Sequence, residues 1–162
     1  MTMTTSARPS AANVQTTFAT LKDRTLAYRS IGEGVPILLC VRFRGTMDSW
    51  DPAFVDGLVA KGFRVILFDY SGLGLSTGVP SYDPRNLAKD AIELLDFLAI
   101  ENAVVGGWSI GGIAAQFVLA MAPSRVTHLA LIATVPPGPL VRAGEQLFFD
   151  LAKRKNDFED GG

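Results

Sequence analysis

The 162 residues are 48% hydrophobic and 19% charged, enough apolar side chain for one domain with a sizeable core, which excludes disorder along the whole chain. Net charge is −1, and the densest basic run, Lys153-Arg154-Lys155, is followed by Asp157, Glu159 and Asp160, so neither nucleic acid nor an anionic membrane is an expected partner. The lone Cys40 excludes an internal disulfide, residues 1–14 lack the apolar stretch of a secretory signal, and no run reaches bilayer-spanning length; a reducing, cytoplasmic setting fits.

In chain order, residues 1–14 read as a flexible tail of Thr, Ser and Ala. Phe18 to Leu21 and Thr25 to Ile31 are strand-like runs around Lys22-Asp23-Arg24, a hairpin pattern, and Gly32-Glu33-Gly34 makes a turn. Val35 to Val41 and Arg64 to Tyr70 are continuous apolar runs of the kind found in parallel strands covered on both faces, and Cys40 within the first suits a small buried thiol. Between them a helix is predicted from Asp51-Pro52, an N-cap acid followed by proline at the first helical position, to near Gly62. The same signal recurs at Asp83-Pro84, after which Leu87, Ala91, Leu94, Leu95 and Leu98 form a core-facing stripe to about Ile100.

Asn102 to Trp108 is the next strand, and Ile110, Ile113, Ala114, Phe117, Val118 and Met121 line one face of a helix stopped by Pro123. Val126 to Val135 reads as another buried strand, Pro136 to Pro139 as a loop, Leu140 to Lys153 as the start of a further helix, and Asn156 to Gly162 as a polar tail. Strands alternating with helices predict an α/β fold: a mostly parallel sheet that starts with an antiparallel hairpin and carries helices on both faces.

Chemistry concentrates at Gly107-Trp108-Ser109-Ile110-Gly111. A G-x-S-x-G sequence between a strand and a helix is a nucleophile elbow, a reversal so sharp that flanking side chains would collide, hence glycine at 107 and 111. Ser109 is left exposed at the turn, and the Ile110 amide, at a helix N-terminus, points toward a developing oxyanion. That is a pattern for acyl transfer. Trp108 either packs beside the elbow or walls the pocket.

A serine hydroxyl needs a base, and in this motif's chain order an acid and then a histidine follow the serine. The one histidine, His128, falls near the start of its strand, whereas Ser109 follows the end of its own. Five or six residues at roughly 3.3 Å each put the two about 15 Å or more apart, so His128 reads as structural. Glu145 and Asp150 read as the solvated face of the last helix. Gly72-x-Gly74 does not make a dinucleotide site, because Gly78 is one position late and Pro80 and Pro84 follow. With one histidine, one cysteine and no Walker lysine, neither metal nor cofactor is expected.

Two further segments end strands beside the elbow: Leu38-Leu39-Cys40-Val41-Arg42-Phe43-Arg44-Gly45, where a second oxyanion donor is needed, and Asp69-Tyr70-Ser71-Gly72-Leu73-Gly74-Leu75-Ser76. With these motifs the chain, from about Val14 to Asp157, resembles the α/β-hydrolase superfamily, particularly its small cofactor-free esterases, enol-lactonases and perhydrolases. The resemblance implies Ser109 as nucleophile, the amides of Phe43 and Ile110 as oxyanion donors, and a small-molecule acyl substrate: an ester, lactone or thioester. The family's oxyanion loop usually reads His-Gly-x, and Val41 and Arg42 stand in place of His-Gly. Arginine resists the positive φ that glycine accepts, so the loop takes another path or carries strain. Arg42 and Arg44 read first as a solvated pair, second as guanidinium groups that hold a substrate carboxylate.

By the same resemblance a complete member carries two more strands, one followed by the catalytic acid and the other by the histidine. Residues 15–139 therefore read as the N-terminal portion of a hydrolase core and 140–162 as the start of a lid segment with a polar tail. The expectation is a truncated hydrolase with little activity alone. The alternative is a non-catalytic hydrolase-fold binding protein or inactive fragment. Self-association through the exposed edge of the last strand is also expected.

Overall fold

The four apolar runs and the hairpin become six strands: β1 (Thr17–Thr20), β2 (Thr25–Ile31), β3 (Val35–Cys40), β4 (Phe63–Phe68), β5 (Ala103–Trp108) and β6 (Val126–Ile132). They form one sheet in the order β1-β2-β4-β3-β5-β6 in a computed structural model that describes residues 10–138. The predicted helix at Leu140 to Lys153, with Glu145 and Asp150, and the polar tail lie outside the described residues, as does most of the N-terminal tail. β1, β2 and β4 pair antiparallel, while β4, β3, β5 and β6 run parallel.

Three helices make the crossovers: α1 (Pro52–Ala60), α2 (Pro84–Phe97) and α3 (Ile110–Met121). The β3-α1-β4 crossover moves one way across the sheet, and β4-α2-β5 and β5-α3-β6 move the other. Right-handed crossovers in opposite directions put α1 on one face and α2 and α3, packed on each other, on the opposite face. The helix starts follow the sequence signal. The Asp51 carboxylate accepts from the Ala53 amide at 2.7 Å and that of Asp83 from the Arg85 amide at 2.9 Å, each ahead of a proline that has no amide hydrogen to satisfy.

Two expectations need correction. β6 ends at Ile132, three residues short of Val135, because Ala133 turns to φ 45°, and Thr127, His128 and Leu131 are exposed. An apolar run does not reveal whether its strand is flanked. Among the described residues β6 borders only β5, with α3 on one face. Met121 is likewise exposed, and the face of α3 that enters the core is made of Gly111, Gly112, Ala114, Ala115 and Val118. The small residues turn inward because this helix lies against backbone: a Cβ on Gly111 would stand 2.1 Å from the Cys40 carbonyl oxygen, and one on Gly112 2.5 Å from the Thr134 methyl.

The loop from Asp69 to Ser76 is tied on both sides. Buried Asp69 accepts the amides of Met47 at 2.7 Å and Leu75 at 2.9 Å, and a Cβ on Gly74, at φ 53°, would stand 2.1 Å from its carboxylate. Ser76 donates to the Asp69 carbonyl at 2.7 Å and accepts from the Ala27 amide at 2.9 Å. Buried Asp90 of α2 accepts from the Ser71 amide and hydroxyl, both at 2.7 Å, and from Arg24 at 2.8 Å. These contacts lock the end of β4 to β2, to α2 and to the turn after β3.

One substitution made at two glycines separates packing from propensity. Gly57 is exposed on α1, and a methyl group added there would have no atom within 4 Å. Gly57→Ala therefore raises stability by about 0.5–1 kcal/mol. Gly111→Ala lowers it by about 1–3 kcal/mol or more, since the methyl meets carbonyl backbone that cannot rotate away. Denaturant midpoints check both signs.

Candidate active site

Ser109 sits at φ 57°, ψ −123°, a conformation that for a residue with a Cβ costs about 1–3 kcal/mol. Its backbone is held there from three directions. The Ser109 amide donates to the Ile132 carbonyl at 3.0 Å, and its carbonyl accepts from the Gly112 amide at 2.9 Å and the Thr134 hydroxyl at 2.6 Å. Although it occupies the N-cap position of α3, its hydroxyl makes no capping bond. The side chain is therefore left to the carboxyl edge of the sheet. Gly107 is required beneath it, because a Cβ there would lie 2.1 Å from the Gly111 carbonyl oxygen.

Strand register carries the segment after β3 to the same edge. Cys40 pairs with Gly107, so Val41, Arg42 and Phe43 leave β3 where β5 turns into Ser109, and the Cys40 and Val41 carbonyls abut Gly111. Arg42 ties the two segments together. Its Nη1 donates to the Phe43 carbonyl at 3.1 Å, and its guanidinium carbon lies 5.3 Å from the centre of the Trp108 ring. The Phe43 ring packs on Tyr82 at 4.4 Å and carries Arg44 at 5.8 Å. Trp108, half-buried, packs on Trp50 at 6.0 Å.

The strain expected at Arg42 falls instead at Arg44, φ 55°. A four-residue turn, closed by the Gly45 amide on the Arg42 carbonyl at 3.0 Å, moves the left-handed residue to its third position, where glycine is usual. Asp69 anchors this turn's continuation through Met47, a role that sequence reasoning missed: the two residues are distant in the chain and only the glycines near Asp69 hinted at a tight loop.

His128 is not brought to Ser109. It pairs with Val104, whereas Ser109 follows the Trp108–Ile132 pair, four residues further on; at roughly 3.3 Å per residue the separation is about 13 Å or more.

The fold agrees with what known proteins show. The alpha/beta hydrolase fold family model matches residues 35–158, and the chain belongs to that family. It is 34% identical over 123 residues to a non-heme haloperoxidase of Rhodococcus erythropolis, covering 74% of this chain and 44% of the relative. It is 33% identical over 114 residues to a pimeloyl-(acyl-carrier protein) methyl ester esterase of Pseudoalteromonas atlantica, covering 69% and 42%. The solved structure of an alpha/beta hydrolase fold protein from Chitinophaga pinensis superposes with a TM-score of 0.79 at 28% identity, covering 90% of this chain and 54% of that one. The chain spans less than half the length of these two curated relatives. No helix among the described residues is long and apolar enough to cross a membrane.

Below the elbow the polar groups stay neutral. Burial pushes the Cys40 thiol up to about 12 and the Tyr70 hydroxyl above its usual range, and Tyr70 donates to the Val41 carbonyl at 3.3 Å. The unfolded thiol loses its proton near pH 8.5–9, so Cys40's contribution to stability is full below that pH and is lost as pH rises toward 12. The stability gap between the parent and Cys40→Ala therefore narrows as pH rises above 9, as equilibrium unfolding at pH 7, 9 and 10.5 will report. A gap constant across that range would contradict this reading of the buried thiol.

Proposed function

We propose that Ser109 is the nucleophile of a serine hydrolase acting on an ester, lactone or related acyl bond. The observation that carries this reading is the left-handed Ser109 within G-x-S-x-G, its backbone fully bonded and its hydroxyl uncommitted to the helix. In the step proposed, Ser109 Oγ bonds to the substrate carbonyl carbon and gives its proton to a base. The tetrahedral oxyanion is met by the amides of Ile110 and Phe43, and the alkoxide leaves with a proton; water then releases the acyl group by the same route. The relative from Pseudoalteromonas atlantica, a methyl ester esterase by name, supports the carboxylic-ester class. The proposed chemistry needs no cofactor.

The base is not a histidine of this sequence, since the one present lies at the far end of β6. The second reading is a hydrolase fold that binds without turnover. The two part on chemical rescue. For the nucleophile reading, these 162 residues turn over p-nitrophenyl acetate far more slowly than the ~1 s⁻¹ typical of enzymes, and added imidazole, a base free to enter from solution, speeds acetylation of Ser109 read by peptide mass. Ser109→Ala removes that adduct. Acetylation unaffected by imidazole, or located elsewhere, supports the binding reading.

A further inference from the structure

Four arginines among the described residues, Arg24, Arg29, Arg85 and Arg125, pair with carboxylates. Arg42 and Arg44 are exposed and have no carboxylate partner there, yet they flank the segment that faces Ser109. A solvated pair would leave both side chains free to wander. Arg42 has partners within the protein: its guanidinium carbon lies 5.3 Å from the centre of the ring of Trp108, the residue before Ser109, and Nη1 donates to the Phe43 carbonyl at 3.1 Å. A guanidinium that spends one N–H on the Phe43 carbonyl keeps further N–H donors, a fork matched to a carboxylate's two oxygens. Arg44, its guanidinium carbon 5.8 Å from the centre of the Phe43 ring, adds positive charge beside it with no carboxylate partner among the described residues.

We propose that Arg42 is the anion-recognition residue of the Ser109 site, and that the substrate is an ester carrying a free carboxylate that docks on its guanidinium. This rests on the nucleophile reading for what the site does with the ester, but the anion contact is measurable without turnover.

The test is binding of monomethyl glutarate, an ester with a free carboxylate, against dimethyl glutarate, its neutral counterpart, followed by the fluorescence of the adjacent Trp50 and Trp108. The parent and Ser109→Ala are expected to bind the monoester about tenfold more tightly than the diester, a gap that shrinks with added salt. Arg42→Gln erases the gap, Arg42→Lys retains part of it because the charge stays while the fork is lost, and Arg64→Gln, which removes the same charge at the start of β4, leaves it intact. Equal binding of the two ligands by the parent, or a gap that survives Arg42→Gln, overturns the proposal. Peptide mass after p-nitrophenyl acetate separates the two readings: acetylated Ser109 with no gap defeats the anion site alone, and a gap without acetylated Ser109 upholds the anion site while the nucleophile reading falls.

Discussion

The first turn of α3 lies so close to the end of β3 that a carbon atom at position 111 would overlap the carbonyl of residue 40. That contact brings the helix N-terminus and the segment after β3 to one place. It also forces the chain between β5 and α3 through a reversal that only a left-handed residue completes, and Ser109 is that residue. The strain at Ser109, about 1–3 kcal/mol, is offset by four hydrogen bonds to its backbone, from or to Gly112, Ile113, Ile132 and Thr134, each contributing about 1 kcal/mol. Two of those partners, the Ile132 carbonyl and the Thr134 hydroxyl, come from the end of β6 and the residues after it, so the elbow depends on the strand that follows it as well as on its own glycines.

What could be read from the sequence was local. The elbow glycines, the two Asp-Pro helix starts and the hairpin around Lys22-Asp23-Arg24 each place their signal within a few residues of the element they specify. What escaped depends on partners far along the chain. The amide of Met47 reaches the carboxylate of Asp69, and Arg24 reaches Asp90, contacts whose members share no pattern. Hydrophobicity also misjudged α3 and β6. Met121 is apolar and at helical spacing, but a helix pressed against carbonyls buries its glycines and alanines, and the apolar side chains of β6 say nothing of how many neighbours it has. The loop after β3 departs from His-Gly at 41 and 42, and its answer, a left-handed Arg44, is visible only in the turn geometry.

The sheet also explains which residues reach the Ser109 edge and which do not. Parallel strands send all their carboxyl ends to one edge, so β3, β4 and β5 deliver Phe43, the Asp69 loop and Ser109 together, while any residue at a strand's start is carried to the other edge. His128 is excluded by this polarity rather than by chance. The same edge collects Arg42 and Arg44, each beside an aromatic ring and with no carboxylate partner among the described residues, above the buried Cys40 and Tyr70. Ser109, the segment that carries Phe43 and the Arg42 guanidinium thus meet at one edge of the sheet, and His128 lies toward the other.

The central claim is that Ser109 and the amides of Phe43 and Ile110 form one reacting centre. A crystal structure of the chain after reaction with a p-nitrophenyl phosphonate, whose phosphorus mimics the tetrahedral intermediate, tests it most directly. The account predicts phosphorus bonded to Ser109 Oγ, with the phosphonyl oxygen about 2.7–3.1 Å from both amide nitrogens. A phosphonate on any other residue, or one on Ser109 whose oxygen turns to solvent away from both amides, would contradict it.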